Sequence, residues 1–78
     1  MDVGAVMRMV RSKVEDLMKR CERPTVEKFY FDTTIWYVCG IRDCLMWCEE
    51  IQAHEELCSL MADLVTLESK MISAGRIV

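Results

Sequence analysis

A single proline, Pro24, and three glycines in 78 residues leave the chain few places at which a regular backbone must stop. The one histidine, His54, leaves little room for acid–base or zinc chemistry. There is no glycine-rich phosphate loop and no serine in a nucleophile setting, and Glu49, Glu50, Glu55 and Glu56 fall in charged runs of the kind that make solvated helix faces. No catalytic residue, cofactor or resident metal is expected. The longest run without a charge, Thr33 to Ile41, is too short to span a bilayer, and the first ten residues carry Arg8 and no signal-peptide profile. These absences predict an intracellular, cytoplasmic protein without a membrane partner.

What the chain has in excess is apolar side chains, 53% of its residues, against about 45 to 50% in an ordinary domain. A chain this short forms one domain whose core is marginal unless its helices pack regularly or a partner adds surface to bury. Association with itself, as a dimer or higher oligomer, is therefore expected. The cysteines number five, an odd count on mostly apolar helical positions, which is cytosolic usage and not a disulfide framework. Charge is uneven: residues 1–23 hold six basic and four acidic side chains, and the remaining residues hold four basic and nine acidic. Glu15, Asp16 and Glu22 interrupt the basic stretch and no aromatic residue interleaves it, which argues against nucleic acid as a partner.

The apolar spacing is helical throughout. Val3, Met7, Val10, Val14, Leu17 and Cys21 alternate steps of four and three, a coiled-coil-like seam for a first helix over about 2–22, with Asp2 as its N-cap. Pro24 then imposes a short link, 23–25, which makes the next helix an antiparallel neighbour. From about 26 a second helix runs on, with no glycine or proline between Gly40 and Gly75 to end it, and is predicted to reach about 74. Along it Tyr37, Val38, Ile41, Cys44, Leu45 and Cys48 share one face, while Trp36, Cys39 and Met46 share the other with Arg42, Asp43, Glu49 and Glu50. Trp36, Cys39 and Met46 are thus the candidate partner surface. Gly40 inside the helix is expected to mark a close helix crossing, since glycine is about 1 kcal/mol worse than alanine there.

Beyond Ile51 the stripe moves. Leu57, Leu60, Leu64, Leu67 and Met71 form a second seam, and the six-residue step from Ile51 to Leu57 rotates roughly 240° about the helix axis. Either the chain turns at 52–56, or one continuous helix shows a separate face to a second copy. The helix-forming Glu49, Glu50, Glu55 and Glu56 suit continuity, which makes the leucine seam the expected oligomer surface. Cys44 with Cys48 and His54 with Cys58 are each one turn apart, a metal-ligand spacing, yet on a continuous helix the pairs stand about 15 Å apart and cannot share one ion. Only a turn near Gln52 would bring them together.

The run from Tyr37 to Leu45, YVCGIRDCL, followed by Cys48 and by Glu50 and Ile51, resembles a pattern in short helical-hairpin proteins encoded by tailed bacteriophages. That family has no activity to transfer. The resemblance implies an accessory or particle-associated protein that works by contact, with itself and with a viral or host protein as partners. The expectation is therefore an all-α antiparallel helical hairpin, 1–78, assembling as a homo-oligomer. Its function would be structural, or inhibitory towards a host protein, with a Cys/His metal protein as the remaining alternative.

Overall fold

The computed structural model describes all of Met1–Val78 and contains three helices: α1, Val3–Arg20; α2, Lys28–Trp47; and α3, Ile51–Ser73. There are no strands beyond one isolated bridge between Val26 and Ile77. No helix is long and apolar enough to cross a membrane.

Helix α1 begins where its sequence says it should. Asp2 Oδ1 accepts a hydrogen bond from the Ala5 amide at 3.0 Å, satisfying one of the amides that a helix leaves unpaired at its start. Lys19 and Arg20 lie in the last turn, where positive charge suits the helix dipole. The link to α2 is longer than Pro24 alone suggests, because α2 starts at Lys28.

Helix α2 ends at Trp47, and this is the principal departure from the expected hairpin. The continuous second helix over 26–74 is two helices, and the break lies at Cys48–Glu50, upstream of the 52–56 alternative. Its chemistry is a helix-terminating motif of two hydrogen bonds: the Glu49 amide donates to the Met46 carbonyl at 3.0 Å and the Glu50 amide to the Leu45 carbonyl at 2.9 Å. Such a motif needs a left-handed residue, and Glu49 supplies it at φ 58°. Helix α3 closes in the same way, with Gly75 at φ 70°, its amide donating to Ile72 and that of Arg76 to Met71. The sequence advertises the second stop with glycine and conceals the first behind glutamate.

Most of the core falls on seven-residue rows, Val10 and Leu17, Phe31, Val38 and Leu45, and Leu57, Leu64 and Met71, with Val26 and Ala53 completing it. A seven-residue repeat keeps one stripe facing inwards only if the helices wrap about each other with a left-handed supercoil. Leu57, Leu64 and Met71 are therefore consumed within the chain, with Leu60 and Leu67 half-buried against the same core. The seam expected to face a second copy is this molecule's own interior, because the turn at 48–50 folds α3 back where a continuous helix would have projected it.

At one end a strap ties the three helices. The Val26 amide donates to the Arg76 carbonyl, the Val78 amide to Val26, and the Lys28 amide to Val78. The Arg76 guanidinium donates to the carbonyl of Cys21, the C-cap of α1, and to those of Arg23 and Pro24 in the link that follows. Residues 76–78 are thus a closure. Cations over tyrosine rings add to the α1–α2 contact, Arg20 at 3.7 Å from the Tyr30 centroid and Lys13 at 5.8 Å from that of Tyr37.

Candidate functional site

With one stripe of each helix used for the core, the outward positions of α2 and α3 carry what the chain has left over. On α2, Phe29, Trp36 and Trp47 are 64%, 71% and 88% exposed. Spacings of seven and eleven residues put all three on one line, about half a turn from Val38 in the core. An amphipathic helix normally spends this line on charge. Here Asp43 lies between Trp36 and Trp47, and Phe29 and Trp47 join Trp36 at the two ends of α2.

On α3 the exposed residues Ile51, Cys58, Val65 and Ile72 follow one another at seven-residue intervals, offset by one from the core row Leu57, Leu64 and Met71. This second apolar row borders the groove between α2 and α3. The groove floor is fixed by Arg42, whose Nη1 lies 3.3 Å from Met61 Sδ on α3 and whose Nη2 lies 3.3 Å from Cys39 Sγ on α2. Arg42 also bonds Asp43 at 3.2 Å, so the centre of the face is charge-neutral. Met46, half exposed, stands on the α2 side of the same groove.

The expected site residues are therefore divided by the fold. Trp36, Cys39 and Met46 do lie together on the α2 side of this face, Trp36 and Met46 exposed and Cys39 partly covered. Gly40 does not mark a crossing within the chain. It is exposed, and a Cβ built there meets nothing within 4 Å.

The thiols do not converge. Cys44 lines a wholly apolar groove of about 210 Å³ with Met1, Val6, Met9, Ile41 and Leu45, on the α1 side of α2. Cys58 Sγ lies 3.8 Å from both ring nitrogens of His54 on α3. The break at 48–50 leaves the two pairs apart, and nowhere do three or more His, Cys, Asp or Glu side chains gather as a ligand set. Cys21, under the strap, has its thiol pKa pushed up by burial, an effect partly opposed by the Arg76 charge. That shift makes it a poor nucleophile.

The face on α2 and α3 is an extended apolar surface whose composition the fold does not explain. No protein-family profile, curated protein or solved structure matches the chain.

Proposed function

We propose that this is a small non-enzymatic protein that works by contact, a phage-type accessory or assembly-associated component acting in the host cytoplasm or in the particle. Its working surface is the outer face of α2 and α3. The supporting observation is the exposed aromatic line Phe29, Trp36 and Trp47. Water-exposed tryptophan is unfavourable, and aromatic side chains are the commonest anchors of protein interfaces. The partners are further copies of the chain and a viral or host protein.

Trp36→Ala tests this reading. Trp36 makes no part of the core, so the variant is expected to keep its helical circular dichroism and cooperative melt. Loss of an interface anchor typically costs 2 kcal/mol or more, about thirtyfold in affinity. A variant that binds every partner of the parent as tightly as the parent would remove α2 from the working surface.

A further inference from the structure

We infer that the outer row of α2 receives a second copy of the chain, the two α2 helices lying antiparallel about a two-fold axis level with Val38. Trp36 of each copy then seats over Gly40 of the other, and Phe29 meets Trp47. The inference rests on the contact reading above and assigns its self-association to a surface and a register.

The first observation is the spacing. Phe29, Thr33, Trp36, Gly40, Asp43 and Trp47 follow one another in steps of four and three along the side of α2 turned away from the core, the pattern by which one helix meets another along a seam. This row is its own complement about Val38. Phe29 and Trp47 lie nine residues to either side of it, Thr33 and Asp43 five, and Trp36 and Gly40 two. An antiparallel pair with its axis there sets aromatic against aromatic at both ends and an indole against a missing side chain on both sides of the centre. Moving the register by one seven-residue repeat strands Phe29 in one direction and Trp47 in the other.

The second observation is Gly40 itself. Glycine weakens a helix relative to alanine, and in the single chain a Cβ at this position meets nothing within 4 Å, so the fold has no use for it. A second copy has one, because a large side chain approaches a helix most closely where the facing residue has none. An alanine there would take up only a methyl group of that room.

The third observation joins charge to area. A parallel pair in register would stack Asp43 on Asp43, and like charges directly opposed are repelled. The antiparallel register holds the two Asp43 side chains ten residues apart along the seam, about 15 Å, each opposite Thr33. Neither polar group enters the contact unpaired, since Asp43 keeps Arg42 of its own chain at 3.2 Å and the Thr33 hydroxyl donates to the Phe29 carbonyl at 2.9 Å. Taking an aromatic side chain at ~150–250 Å², the exposed parts of Phe29, Trp36 and Trp47 amount to roughly 500 Å² on each copy. The pair therefore covers about 1,000 Å² with the row alone, the area at which a specific interface begins.

The two tryptophans of the chain both stand on this row, so their fluorescence reports whether it is covered. Light scattering and tryptophan emission over one dilution series are the test. The parent is expected to give the two-chain mass at micromolar concentration, with emission moving to longer wavelength as the mass falls to that of one chain. Gly40→Glu is expected to weaken self-association by about thirtyfold or more while keeping its helical circular dichroism, because nothing surrounds the position in the single chain. The register is read with Thr33→Cys and Asp43→Cys in one chain. These positions stand about 15 Å apart on their own helix, beyond the reach of a disulfide, so under oxidised glutathione a bridge between 33 and 43 is expected to form only between copies. A parent that stays monomeric at a millimolar concentration overturns the inference, as does a dimer whose emission ignores dilution, one that Gly40→Glu leaves as tight, or one that forms no bridge between 33 and 43. Each of these outcomes leaves the contact reading standing, which fails only if the Trp36→Ala variant loses no partner.

Discussion

Two residues occupy each other's natural environment. Gly40 lies within α2 in open space, with ordinary helical backbone and no neighbour to exclude a side chain, whereas Glu49 holds the left-handed conformation at which glycine is at home. Glycine within a helix is about 1 kcal/mol worse than alanine, and a left-handed backbone costs an L-residue roughly 1 kcal/mol or more. The double variant Gly40→Ala with Glu49→Gly is expected to gain about 1–2 kcal/mol, raising the melting temperature by at least about 4 °C in a domain of this size. A melting temperature equal to or below that of the parent would show that another backbone approaches Gly40 in the working assembly, or that Glu49 makes a compensating contact. These two positions also explain why the second helix reads as continuous. Helix-stop signals depend on glycine and proline, and at 48–50 the chain breaks with Cys48, Glu49 and Glu50, all of which a helix accepts.

At the scale of the element, α3 carries two apolar rows one residue apart, and sequence periodicity alone does not say which faces inwards. The leucine row is longer and bulkier and reads as the stronger seam, and the fold uses it first, within the chain. The row Ile51, Cys58, Val65 and Ile72 was visible at the same seven-residue spacing but is diluted by a cysteine and by the small polar residues beside it. Leu64 and Val65 therefore make a sharp pair. Leu64→Glu places an unpaired carboxylate at a position 3% exposed, at a cost of several kcal/mol, against a total stability of about 4–12 kcal/mol for a chain of this length. It is expected to abolish the cooperative thermal transition, whereas Val65→Asp next to it retains one. If Leu64→Glu merely dissociates a folded dimer, the leucine row faces outwards after all. The α1 seam from Val3 to Cys21, by contrast, needed no correction, because a helix closed by Asp2 and Pro24 has a legible start, stop and direction.

At the scale of the whole molecule, the three helices share one repeat but differ in how they are tied. α2 and α3 are joined by the tight turn at Cys48–Glu50. α1 is held at its far end by the strap, where one guanidinium serves three carbonyls of the α1–α2 link. Removing it leaves those carbonyls dependent on water. Arg76→Ala is expected to lower stability by about 1–3 kcal/mol, the range for losing hydrogen bonds to a charged donor. The loss should appear in the melting temperature, and an unchanged value would mean that water replaces the guanidinium at these carbonyls.

The bridge between Val26 and Ile77 brings together residues more than fifty positions apart in a molecule otherwise built from local hydrogen bonds. Helical amides can open one turn at a time, but those of Val26, Lys28 and Val78 are paired across the whole chain and are released together when residues 76–78 part from the start of α2. In a deuterium-exchange experiment these three amides should show one common opening free energy once each is divided by its intrinsic exchange rate. That free energy reports how often the bundle comes undone at this end, independently of fraying in any single helix.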